Sequence, residues 1–281
     1  MRYLRVVAVG GFVLLAAAAS LFGAGLRPSP EPSEPPRLSA SLEIRRLNPQ
    51  PDTVALAVTN AGDTEVTVRH VRLVSASLAE SAGTEVSVTV PADATRDVFI
   101  PVPTAMCGDD IAPATAPATA ELRVSSRGVE HAVALPLAHP NGTLDRLVGR
   151  DCATALLART ARVEFGDWRS APSGVLLGEL RVIRVGGDLP ITLDSVTGNP
   201  HYAVTPVTAG PPLGELPPGT AELSVPVEVD ANRCDAHALA EAKKPWLFPF
   251  RLTVGAWEVP GEVTVSETDQ AAMEAMQAVR C

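Results

Sequence analysis

From Leu38 onward apolar and polar residues alternate with a period of two, in runs too short for helices and broken by turn residues. Residues 53–59 and 65–71 alternate on either side of Asn60-Ala61-Gly62-Asp63 and read as a hairpin. Residues 85–90 and 97–102 alternate in the same way on either side of a Pro-Ala-Asp-Ala turn. Later, residues 179–185 and 191–193 flank Gly186-Gly187-Asp188, and residues 221–229 form a strand interrupted by proline. Short half-buried strands at turn-spaced intervals, about seven in each half, predict an all-β chain of antiparallel sandwiches. Proline within Ile100-Pro101-Val102-Pro103 removes a ladder donor and predicts a sheet edge.

The plan occurs twice. Gly62-Asp63 returns 125 residues later as Gly187-Asp188, and Ile100-Pro101-Val102 returns at the same offset as Val225-Pro226-Val227. Cys107 maps to Cys234, Arg123 to Arg251, Glu130 to Glu258 and Cys152 to Cys281, with the offset drifting from 127 to 129. A drift this small and monotonic implies a duplication with minor loop insertions, giving two tandem homologous domains at 38–155 and 156–281.

Each copy closes with a helical pattern. Ser266-Glu267-Thr268-Asp269 reads as an N-cap region, after which Ala272, Met276 and Val279 share a face before Cys281. Leu144, Leu147 and Val148 do the same more briefly before Cys152. A cysteine thus ends each closing helix and another follows each proline-bearing strand. Four cysteines allow three pairings, and the duplication favours Cys107 with Cys152 and Cys234 with Cys281. Loops of this length, once closed, constrain the unfolded chain by about 4 kcal/mol in the entropy model.

The N-terminus changes the compartment. Arg2 and Arg5 precede an uncharged run at residues 6–26, long enough to cross a bilayer core as a helix. Its length suits an uncleaved anchor, whereas Ala17-Ala18-Ala19 and Gly23-Ala24-Gly25 suit signal-peptide cleavage, so residues 1–26 are read as either. In both cases the bulk of the chain is exported: anchored to the cytoplasmic membrane facing outward, or secreted. Residues 27–37 hold five prolines and read as an extended linker.

Composition narrows the partners. Hydrophobic residues make up 46% of the 281-residue chain, enough for packed cores, and 26 prolines with 21 glycines disfavour long helices. A net charge of -9 without a dense Lys/Arg block argues against nucleic acid. The membrane, through the N-terminal segment, and a protein or glycan of the envelope are the expected partners.

Residues 58–68, Val-Thr-Asn-Ala-Gly-Asp-Thr-Glu-Val-Thr-Val, resemble the strand-Asn-x-Gly-strand signature of immunoglobulin-like modules in bacterial envelope proteins, the CARDB-like group among them. The second copy has Arg184-Val185-Gly186-Gly187 where the asparagine would sit. The resemblance covers about eleven residues of the first copy and implies an extracellular adhesion or scaffold module. Together with the duplication, the expected architecture is two tandem immunoglobulin-like antiparallel sandwiches, each closed by a short helix and one disulfide.

Chemistry is sparse. Cys234-Asp235-Ala236-His237 offers a Cys-x-x-His spacing and Cys107-Gly108-Asp109-Asp110 sets carboxylates beside a thiol. No second Cys/His pair stands nearby and an oxidised cysteine does not ligate zinc, so no metal, cofactor or catalytic residue is expected. The five histidines are scattered, and no hydrolase, P-loop or zinc-protease motif appears. Phe99 is the sole aromatic of residues 38–155, whereas the second copy holds Phe165, Trp168, Tyr202, Trp246, Phe248, Phe250 and Trp257. Trp246, Phe248 and Phe250 would share one face of an extended strand with Trp257 beside them; core packing and an exposed binding strip at Trp246 and Trp257 are the two readings. The expected function is a non-catalytic extracytoplasmic binding or scaffold protein of the bacterial envelope. Its rivals are the ectodomain of a membrane sensory or assembly complex and the accessory domain of a secreted enzyme.

Overall fold

The period-two segments form strands in the structure, a computed structural model that describes residues 34–46, 53–108, 115–208, 210–241 and 244–281. The expected anchor or signal segment, and linker residues 27–33, lie outside the described residues. Among the described residues no helix is long and apolar enough to cross a membrane. In order the elements are β1 (Leu38–Glu43), β2 (Thr53–Asn60), β3 (Val66–Val74), β4 (Thr84–Val90), β5 (Ala94–Pro101), β6 (Thr119–Ser126) and β7 (Val129–Ala138). A 3-10 turn, Pro140–Gly142, leads into α1 (Thr143–Thr160). Then come β8 (Ala161–Ser170), β9 (Leu176–Arg184), β10 (Ile191–Val196), β11 (Tyr202–Pro206), β12 (Gly214–Leu216) and β13 (Glu222–Ala231). The chain closes with α2 (Ala236–Glu241), β14 (Pro249–Val254), β15 (Trp257–Glu262) and α3 (Glu267–Arg280).

One pairing scheme occurs twice. The first seven strands run in the order β4-β3-β6-β7-β1-β2-β5, and the later ones form sheets β12-β10-β14-β15 and β11-β13-β9-β8. Val54 faces Ile100 between β2 and β5, as Leu180 faces Val225 between β9 and β13. Val68 faces Val124 between β3 and β6, and Leu193 faces Leu252 between β10 and β14. Ser125 faces Glu130 across the β6–β7 hairpin, and Thr253 faces Glu258 across β14–β15. A short parallel contact at Ala40 and Leu137 joins β1 to β7; its counterpart is the parallel bridge from Glu164 in β8 to Thr264. Even β11 has a rudiment: the bridge from Leu78 to Ala105 stands where Tyr202 pairs with Ala231. The adjoining hydrogen bonds, Met106 N to Ser77 O and Asn232 N to His201 O, are both 2.9 Å.

Residues 53–59 and 65–71 do not form the expected hairpin. β2 pairs with β1 and β5, and β3 with β4 and β6, so the chain crosses between two groups of strands at residues 61–65. The fully buried Asn60 organises that crossing, its Nδ2 donating to the carbonyls of Thr64, Val90 and Pro91 while its Oδ1 accepts from Gly62 N. In the second half Arg184 takes this part, donating to the carbonyls of Gly187, Leu189, Leu216, Pro217 and Thr220. Asparagine and arginine thus satisfy matching corners by different reach. β5, with Pro101, is a sheet edge as expected, but β13 lies between β11 and β9. Its Pro226 is tolerated just beyond Pro206–Val227, the last pair with β11.

The helices depart further from expectation. α1 runs eight residues past Cys152, so the cysteine lies inside the helix and the expected boundary at 155 falls within it. Leu144, Leu147, Val148, Cys152, Ala153, Leu156 and Thr160 make its buried face at three- and four-residue spacing, and Thr160 leads into β8 without a linker. α1 packs against β1 of the first half and against β8 and β15 of the second. The approach to β15 needs a glycine: at Gly261 a Cβ would lie 2.8 Å from Leu157 Cδ2 and 2.3 Å from the Phe250 ring. α3 starts with a capping box, Ser266 and Asp269 bonding each other's backbone N–H. It buries Met273 and Met276, while Val279, expected on that face, is exposed. Buried residues of both halves form one continuous apolar cluster, and Pro35–Cys281 is one unit.

Candidate functional site

The cysteines pair as the duplication argument expects. Cys107 bonds Cys152 and Cys234 bonds Cys281, with Cα atoms 5.4 and 5.2 Å apart. Cys152 is buried, whereas Cys234 and Cys281 are exposed. Two disulfides suit an oxidising, extracytoplasmic compartment. The Cys-x-x-His spacing at Cys234 and His237 is occupied on its thiol side by the disulfide. Among the described residues no group of three or more His, Cys, Asp or Glu could hold a metal ion.

The aromatics of the second half form a column. Trp168 meets Phe165 at 5.4 Å between ring centroids, Phe165 meets Phe248 edge-on at 5.3 Å, Phe248 meets Tyr202 at 6.2 Å, and Tyr202 stacks on Trp246 at 5.4 Å. Both ends of the column are half-buried and its centre is buried. Trp168 lies in a bulge of β8 and donates its indole N–H to the buried Asp269 at 2.7 Å, tying α3 to the sheet. Tyr202 OH donates to Gln277 Oε1 at 3.3 Å, and burial, helped by the charge of Glu274, pushes the phenol up to about 12. Trp246 precedes β14 in a turn, and Trp257 is also half-buried. Trp257 opens β15 opposite Val254, whereas Trp246 lies beyond the Pro249–Glu262 end of the same hairpin. The two tryptophans therefore stand at opposite ends and are not brought together.

A polar trough lies elsewhere, on residues that alternation alone did not single out. The bulge between Val68 and His70 shifts the register of β3, so His70 and Arg72 share its outward face. His70 faces Arg123 of β6, which faces Ala132 of β7; beside this row Arg72 faces Glu121, which faces Ala134. Together they line a cavity of about 420 Å³, within the range of small-ligand sites. His70 Nε2 bonds the carbonyl of Ala82 at 3.0 Å and holds the β3–β4 loop as one wall. Arg72 donates Nε and Nη2 to one oxygen of Glu121, at 2.9 and 2.6 Å, and Arg123 pairs with Glu85. Ala132 and Ala134 are exposed and form a low aliphatic floor. The sequence signal was the pair of outward triplets His70-Val71-Arg72 and Glu121-Leu122-Arg123, which meet only through the ladder.

No family model matches the chain, and no curated protein matches its sequence. Among solved structures, red sea bream transglutaminase is 13% identical at TM-score 0.25, over 83% of this chain and 32% of that one. The YadV chaperone is 11% identical at 0.23, over 81% and 98%, and CBD12 from CALX1.2 is 13% identical at 0.22, over 73% and 74%. The chain thus spans about a third of the length of the transglutaminase. Likenesses at such scores carry neither fold nor function across.

Proposed function

We propose that the protein is a non-catalytic extracytoplasmic module of the bacterial cell envelope, two tandem immunoglobulin-like sandwiches held as a rigid binding and scaffold element. The repeated ladder supports the tandem reading, since partners recur strand by strand down to single bridges. The observation that carries the scaffold role is α1, disulfide-linked to the first half through Cys152 and packed on β8 and β15 of the second. A helix shared in this way opposes hinge motion, whereas a flexible string of modules would have an exposed linker there. Spin labels at R96C in β5 and E222C in β13, both exposed positions, test it by pulsed electron resonance on disulfide-intact protein. One narrow distance distribution is expected; a broad or bimodal one contradicts a rigid scaffold. Protein taken from envelope fractions should have no thiols reactive before reduction, and free thiols would contradict export.

A further inference from the structure

We propose that the trough across β3, β6 and β7 binds a short zwitterionic peptide with small aliphatic side chains. The proposal stands on the trough alone and does not need the scaffold reading. Its rim carries both signs in balance, with Arg72 and Arg123 against Glu121 and Glu85. Hydrogen-bonding capacity of both kinds is left over. Arg72 Nη1, Arg123 Nη1 and Glu121 Oε1 have no hydrogen-bond partner among the described residues, since Arg72 and Glu121 meet through Oε2 and Arg123 uses Nη2. A guanidinium suits a terminal carboxylate, and the spare Glu121 oxygen suits an ammonium. A ligand of one sign only would meet a like charge beside the group that attracts it, and the chain's net charge of -9 disfavours a plain anion at a distance.

The floor selects the body of the ligand. Ala132 and Ala134 present methyl groups and no hydrogen-bonding side chain, and the lining holds no Phe, Tyr or Trp to serve as a stacking platform for a sugar or base, its one ring, His70, being tied to the Ala82 carbonyl. From β3 to β7 the trough spans two strand spacings, roughly 10 Å, which an extended chain of about three residues covers. The second half shows that the set does not come with the framework. At the matching ladder positions Ser195 faces Arg251, which faces Pro260, and Pro249 faces Glu262. Only the arginine is kept, and the carboxylate and both alanines are replaced.

Titration of L-Ala-L-Ala-L-Ala into the full chain with disulfides intact tests this by calorimetry and amide shifts. Saturable binding at millimolar concentration or below is expected, with shifts confined to residues 70–72, 121–123 and 132–134. R123Q and E121Q should each weaken it about tenfold without moving the melting temperature, and so should N-acetylation with C-amidation of the peptide. A134E, an exposed change that fills the floor, should abolish binding and serves if the other variants fold poorly. No saturable binding, equal affinity for the blocked peptide, or equal affinity for acetate would overturn the proposal. These outcomes leave the spin-label distance, and hence the scaffold reading, untouched.

Discussion

Asn60 and Arg184 do equivalent work with different exposure, and their substitutions separate the two cases. Asn60 is fully buried with four hydrogen bonds to backbone, so Asn60→Ala strands buried carbonyls and should cost about 3 kcal/mol in chemical denaturation. Arg184 bonds carbonyls within reach of water, and Arg184→Ala should cost about 1 kcal/mol. Trp246 lies half-buried on Tyr202, so Trp246→Ala should cost about 2 kcal/mol, less than for a fully buried ring; no change in stability would place it outside the column. Asp230 is held below the usual carboxylate range by its side-chain hydrogen bond from Arg280, aided by Ala231 N–H. A carboxylate with a lowered folded value stabilises fully above its unfolded value, near pH 4, and that stabilisation fades as pH falls through the folded value. Asp230→Asn should therefore flatten the acid limb of melting temperature against pH and leave the slope near neutrality unchanged. The trough was not legible at this scale, because His70, Arg123 and Ala132 become neighbours only through the β3–β6–β7 ladder.

Strands were legible where alternation is clean, as at residues 85–90, and the cap at Ser266 was legible from its spacing to Asp269. Pairing partners were not. A period of two says which face a residue takes but not whether the next strand lies beside it or across the core, so the Asn60 corner reads as a hairpin. The length of α1 was hidden similarly: Ala153 and Leu156 continue its apolar stripe past Cys152, where duplication alone suggested a stop. The two disulfides, matched in sequence, differ in access. Limiting thiol reductant followed by alkylation and peptide mapping should label the exposed Cys234 and Cys281 first, and Cys107 and Cys152 only under conditions that open the fold. Simultaneous labelling would show that burial does not protect Cys152.

At the scale of the molecule, the disulfide pairing was readable from the cysteine offsets, but the union of the halves was not, since it depends on α1 reaching β15 and on Gly261 admitting Leu157. Pieces that share a helix and a continuous apolar cluster should not unfold separately. The disulfides suit an oxidising, extracytoplasmic compartment, whereas the proposed rigidity rests on this union. Differential scanning calorimetry of residues 35–281 with both disulfides intact tests it most directly. One transition with calorimetric and van't Hoff enthalpies in agreement is the predicted result. Two resolved transitions, one surviving in an isolated fragment of residues 161–281, would contradict it.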